Sequence, residues 1–215
     1  MIHRFRWIAI VTVLALPLAA SADLLTNPSL EDYYIDDYGN PVPTGWGFWQ
    51  SAWEGWGSPS WITPHIDDGM AYTGLNAWEV GAGDNGASGN GGYALLIQDV
   101  ASATPGVSYT LSAYAADALG GSTTEPALKI EFYRADSSLI WANEVPVAIP
   151  DDGAYYYVEQ TSVAPAETAW LKVICVATEW TGGQSAYRYD EIHLIPEPAA
   201  LALFGLGLVA LIRRR

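Results

Sequence analysis

Ser108-Tyr109-Thr110-Leu111-Ser112-Ala113-Tyr114-Ala115 sets the fold class. Tyr109, Leu111, Ala113 and Ala115 fall on one side of an extended chain, and Ser108, Thr110, Ser112 and Tyr114 on the other. That period of two belongs to a strand with one buried and one wetted face, the signature of an antiparallel sheet. Leu128, Ile130 and Phe132 oppose Lys129, Glu131 and Tyr133 in the same way.

Outward from there, short runs rich in Val, Ile, Tyr, Thr and Trp alternate with turn clusters. No stretch repeats at helical spacing for a dozen residues. The pattern predicts strands near 24–31, 45–50, 61–66, 77–80, 93–100, 108–116, 128–134, 139–145, 155–162, 169–177 and 186–195. About ten strands in one domain make an all-β antiparallel β-sandwich, or jelly roll. Gly81–Gly92, with six glycines in twelve residues, reads as an exposed loop.

The two ends of the 215-residue chain read differently. His3, Arg4 and Arg6, then an apolar stretch from Trp7 to Leu18, then Ala20-Ser21-Ala22, form the three parts of a secretory signal peptide, cut after Ala22. At the far end, Pro196-Glu197-Pro198 precedes an apolar run from Ala199 to Ile212 and Arg213, Arg214 and Arg215. As a hydrophobic helix this run reaches only ~21 Å against a hydrocarbon core of ~30 Å, so flanking residues would have to complete a span. The arginines would stay on the cytoplasmic side. Three segments follow: signal peptide 1–22, sandwich domain 23–195 and tail 196–215.

Pro-Glu-Pro, apolar helix and arginine cluster in that order resemble the PEP-CTERM sorting signal of Gram-negative bacteria. The resemblance implies a membrane helix before processing, a processing enzyme of the exosortase type, and a final place at the cell surface or in the extracellular matrix.

Between the signals, 23 acidic residues face only Lys129, Arg134, Lys172 and Arg188, a net charge of −19. Nucleic acid is excluded, because its phosphates would be repelled. The single cysteine, Cys175, cannot form an internal disulfide and reads as a buried thiol on the apolar side of its strand.

Leu24-Leu25-Thr26-Asn27-Pro28-Ser29-Leu30-Glu31 with Pro43-Thr44-Gly45-Trp46 resembles the start of carbohydrate-binding-module-like jelly rolls with the galactose-binding-like fold. Gln98-Asp99-Val100, Pro105 to Ser112, and the closing Tyr189-Asp190-Glu191-Ile192-His193-Leu194 are similar to later strands of that family. The resemblance implies a polysaccharide ligand and a structural Ca2+ at the matching positions Glu31 and Asp190, with Asp32 as a further ligand. Calcium takes six to eight oxygens, so backbone carbonyls would have to contribute. From strand parity with Ile192 and Leu194, Asp190 is expected to point toward the core edge.

Trp46, Trp49, Trp53, Trp56 and Trp61 crowd into sixteen residues. An indole is a large rigid face on which a sugar ring stacks through its C–H groups. Trp46 matches a core position of the resembling family. Trp49, which parity places opposite Trp46, and Trp53, Trp56 and Trp61, amid glycine and proline, are the candidate ligand contacts. Trp170 beside Lys172, and Tyr155 and Tyr157 beside Glu159, read as cross-strand pairs.

No nucleophile or metal motif is present, and the doublets Asp36-Asp37, Asp67-Asp68 and Asp151-Asp152 read as turn formers. The chain is therefore expected to be a non-catalytic, exported polysaccharide-associated protein. The alternative is a structural, self-associating surface protein without a soluble ligand; a glycoside hydrolase comes third.

Overall fold

A computed structural model describes residues 22–51, 59–83 and 91–197. The signal peptide, the apolar tail from Pro198 onward, Trp53 and Trp56 lie outside the described residues. Asp23–Pro196 forms one compact unit. Among the described residues no helix is long and apolar enough to cross a membrane.

Twelve strands are present among the described residues: β1 Tyr33–Ile35, β2 Pro41–Pro43, β3 Gly47–Gln50, β4 Ser60–Ile66, β5 Asn76–Gly83, β6 Gly92–Val100, β7 Ser108–Asp117, β8 Ala127–Tyr133, β9 Leu139–Pro146, β10 Tyr156–Val163, β11 Trp170–Glu179 and β12 Gln184–Pro196. Two five-stranded sheets, ordered β10-β7-β12-β5-β4 and β3-β6-β11-β8-β9, make the sandwich, and β1-β2 is a separate hairpin. Every pairing is antiparallel. The expected all-β sandwich is what the chain forms.

The alternation read from the sequence is the alternation of burial. Tyr109, Leu111, Ala113 and Ala115 of β7 meet Leu128, Ile130 and Phe132 of β8 and Leu171, Val173 and Cys175 of β11 in one core. Burying each large apolar side chain of this set contributes about 1.5–3 kcal/mol. Cys175 is fully inside, and desolvation pushes its thiol far above the ordinary range.

Two local expectations are corrected. The segment 24–31 is not a strand: Asn27 and Leu30 adopt left-handed backbone angles (φ 51° and 59°), and the chain turns there so that Leu30 drops into the core. The hairpin β1-β2 was not anticipated. Its first strand, Tyr33-Tyr34-Ile35, is exposed at every residue, so no inward period marks it.

A third correction concerns β12. The register slips between Asp190 and His193, with Glu191 left-handed at φ 48°. Tyr189 faces the core opposite Ala115, and Leu194 faces it opposite Leu111, so the bulge flips the parity between them. Asp190 therefore lies outward beside Tyr114, not in line with Ile192 and Leu194. It is nonetheless fully buried, because the β4–β5 connection folds over it and Tyr72 and Thr73 donate their amides to its carboxylate.

Candidate functional site

The outward face of β3-β6-β11-β8-β9 gathers side chains far apart in sequence. The register sets Trp49, Leu95, Val176, Ala127 and Pro146 in one row across the sheet, and Gly47, Ile97, Ile174, Lys129 and Glu144 in the next. Asp99, Lys172, Glu131 and Ala142 follow, then Trp170 beside Tyr133.

This face has an apolar floor and aromatic ends. Ala127, Ile174 and Val176 are buried under Tyr93, Leu95 and Ile97. Tyr93 reaches over the floor from β6 to β9, where its hydroxyl donates to Glu144 Oε2 at 2.8 Å. Burial first, and the Glu144 bond second, hold the Tyr93 phenol far above its ordinary pKa, so it stays a donor. Trp49 meets the Tyr93 ring edge-on at 6.1 Å, and Trp180, more than half exposed, lies 6.4 Å away on its other flank.

At the other end Tyr133 and Trp170 stack with centroids 4.1 Å apart and planes 6° from parallel. The Lys172 ammonium lies 5.5 Å from the Tyr133 centroid and 6.0 Å from that of Trp170. The Trp170 indole N–H is fixed on the Arg134 carbonyl (3.1 Å), and the Tyr133 hydroxyl donates to Glu131. Between the ends, Lys129 pairs with Glu131 at 2.9 Å and Glu144 at 3.6 Å, and Lys172 with Asp99 at 3.7 Å. Rings held by their own polar atoms and flanked by mixed charge can stack on a flat apolar ring while bonding hydroxyls around its rim.

Of the candidate tryptophans, Trp49 stands on this face. Trp61 is on the other sheet, where its indole donates to Glu79 at 2.8 Å and lies flat against Gly81; a Cβ on Gly81 would fall 2.0 Å from its ring. The two are not brought together. Trp170 beside Lys172 was read from the sequence as a packing pair, and Tyr93 and Tyr133 were not named as ligand contacts, although outward parity on their strands marked all four.

Glu31 and Asp190 do come together on one connection, the loop after Ile66. Glu31 accepts from the Leu75 and Asn76 amides, and Asp190 from Tyr72, Thr73 and Glu191. Desolvation raises Asp190 to about 6 against the pull of those amides. Asp32 is exposed, and it is its backbone that is engaged, by Asn27. A ring of N–H donors suits carboxylates and not a cation. Among the described residues no group of three or more His, Cys, Asp or Glu is placed to hold a metal. In this arrangement the residues do not fit a calcium ion.

Residues Leu194–Arg215 match the family model described as PEP-CTERM protein-sorting motif. The chain carries a PEP-CTERM sorting tail. The match begins two residues before Pro196, inside β12. No curated protein matches the sequence.

Solved structures resemble the sandwich. The CBM22-1 xylan-binding domain from Paenibacillus barcinonensis Xyn10C superimposes with a TM-score of 0.52 at 13% identity, covering 82% of this chain and 96% of that one. A family 16 carbohydrate-binding module gives 0.50 at 16%, covering 80% and 99%. The enzymatically active domain of bacteriophage CBA120 tailspike protein 4 gives 0.56 at 12%, covering 81% of this chain but only 21% of the tailspike. The fold is that of carbohydrate-binding-module jelly rolls.

Proposed function

We propose that the chain is an exported surface protein that holds neutral polysaccharide on the outward face of β3-β6-β11-β8-β9. One observation carries this reading: the stacked Tyr133–Trp170 pair under Lys172 shares a sheet face with Trp49 and Tyr93, with Lys129, Glu131 and Glu144 between them. A sugar ring stacks on the half-buried indole and phenol rings, while the charged groups bond its hydroxyls. The fold shared with the xylan-binding domain supports the ligand class, and the net charge of −19 between the end segments opposes anionic polymers.

The PEP-CTERM tail supports delivery to the cell surface through an exosortase-type enzyme of a Gram-negative envelope, with the tail helix in the inner membrane until then. The bound polymer would be the exopolysaccharide of the surrounding matrix. No catalytic step is assigned.

Electrophoresis through gels loaded with soluble neutral polysaccharides tests the binding. The chain should be retarded by at least one polymer, and Trp170→Ala or Trp49→Ala should weaken retardation on the order of tenfold, equal to about 1.4 kcal/mol. Unretarded migration across xylan, glucan and galactan would refute it. The self-associating alternative has one observation on its side, the roughly half-exposed Tyr33-Tyr34-Ile35 strand with Tyr38 91% exposed at its turn. Sedimentation that shows a concentration-dependent oligomer would favour it.

A further inference from the structure

The outward face of the other sheet carries a second aromatic array that the proposed site does not use. The register places Asp190, Tyr114 and Tyr157 side by side across β12, β7 and β10. Tyr72, from the loop between β4 and β5, stacks on Tyr114 with centroids 3.7 Å apart and planes 15° from parallel. Tyr155 lies 5.5 Å from Tyr72, and Tyr157 meets Tyr114 edge-on at 5.7 Å. The four rings form one continuous array, with Tyr72 41% and Tyr157 54% exposed.

Each ring is already held. The Tyr155 hydroxyl donates to the Met70 carbonyl at 2.7 Å, and the Arg188 guanidinium sits 5.9 Å from its ring centroid. The Tyr72 amide is tied to Asp190 at 2.9 Å, and the Tyr157 hydroxyl donates to Glu159 at 2.8 Å. Rings fixed before binding lose little freedom on contact, which favours a ligand that offers only shallow stacking. The device repeats that of the proposed site: Tyr157 bonds a carboxylate two residues away, as Tyr133 does with Glu131.

Charge decides what can lie there. Glu159 and Glu191 flank the rings, and Thr110 and Thr161 add hydroxyls 2.8 Å apart in the row beyond Glu159. The cations on this face are engaged: Arg188 with the Gly153 carbonyl at 3.2 Å and with Met70, His193 with Asp23 and Glu191. The carboxylates around the rings and the net charge of −19 between the end segments oppose a phosphate, sulfate or uronate polymer, or an anionic lipid surface. A neutral polymer with hydroxyls and flat C–H faces meets none of that opposition.

We infer that this Tyr72–Tyr114–Tyr157 face is a second contact surface for a neutral polysaccharide, so that one copy of the chain bridges two polymer strands. The ligand class rests on the proposed function; the surface itself does not. The two faces lie on opposite sides of the sandwich, so occupants do not compete. Bridging makes the protein a cross-linker of the polymer as well as a passenger on it.

The test uses the full chain in detergent micelles, with soluble xylan and hydroxyethyl cellulose as probes. Tetranitromethane nitration, read by peptide mass, should modify Tyr72 and Tyr157 several-fold more slowly with the retarding polymer present. Light scattering of that polymer should rise when the unmodified chain is added, and should not rise with Trp170→Ala or with the double variant Tyr72→Ala/Tyr157→Ala. Each variant should keep part of the gel retardation, and an unchanged near-ultraviolet melting profile guards against misfolding. If both rings nitrate as fast with polymer as without, and the double variant is retarded in full, the second face is overturned while the first stands. Protection of the rings that depends on protein concentration, without polymer, would overturn it in favour of contact between copies. Retardation by none of xylan, glucan and galactan would overturn both readings.

Discussion

Replacing Glu179 by Gln separates a charge from a shape. Glu179 ends β11 and is fully buried, yet it faces no cation. Its carboxylate accepts from the Thr181 amide and hydroxyl, each at 2.6 Å, from Ser185 Oγ at 3.1 Å, and from the Thr123 hydroxyl. Desolvation alone would raise its pKa. The four donors outweigh it and hold the group near 2, against an ordinary 4.5. A shift of that size corresponds to about 3 kcal/mol of preference for the ionised folded form, at 1.36 kcal/mol per unit. The folded pKa is depressed, so this stability is present above pH 4.5 and is lost as pH falls toward 2. Denaturant unfolding followed by tryptophan fluorescence, on the native chain and Glu179→Gln at several pH values, reads the difference. We expect the variant to be about 3 kcal/mol less stable at neutral pH and the gap to close through that acid window. Asp117 and Asp23 titrate in acid as well, but they cancel in the difference. A gap that is absent at neutral pH, or unchanged with pH, would refute the reasoning.

Three further outcomes are expected. Gly81→Ala drives a methyl into the Trp61 indole and should lower stability by about 1–3 kcal/mol in thermal unfolding, with Gly81→Val worse. His193 is held above its ordinary pKa, first by its bond to Asp23, so its contribution is present below 6.5 and fades as pH rises through the raised value. His193→Gln should flatten that slope in melting temperature, and an NMR titration of the ring that gives an ordinary value would contradict it. Added calcium should leave the melting temperature unchanged, because Glu31 and Asp190 are satisfied by amides; a calorimetric signal that Asp190→Asn removes would overturn that reading.

The strands that showed in the sequence are those with one wetted face. β8 from Leu128, β10, and β7 as far as Leu111 alternate cleanly because a core lies on one side of them only. The segment 24–31 misled for a physical reason. Leu24, Leu25 and Leu30 supply apolar character, but two left-handed residues break the extension, and periodicity does not register φ. The hairpin β1-β2 escaped because each strand is only three residues long, and β1 is exposed on both faces, so neither carries a readable period. Asp190 was assigned the wrong face by a single inserted residue, since a bulge at Glu191 reverses every parity argument carried through it.

The candidate site was legible only in pieces, and strand order explains why. Trp49 stood out because tryptophans cluster near it. Trp170 and Lys172, and Lys129, Glu131 and Tyr133, could be placed on outward faces from parity alone. What parity does not contain is that β3 neighbours β6, that β6 neighbours β11, and that β11 neighbours β8. Those adjacencies come from long crossovers between the two sheets, and they put Trp49 within edge contact of Tyr93 and carry Tyr93 across to Glu144. A candidate face assembled from five strands, of which only β8 and β9 are consecutive, leaves no local motif, because each strand supplies only one to three side chains. The same holds on the opposite sheet, where Tyr72 reaches Tyr114 only because the bulge turns Asp190 outward to anchor the Tyr72 amide. A residue inserted at one position in the last strand thus orients a ring more than a hundred residues earlier in the chain.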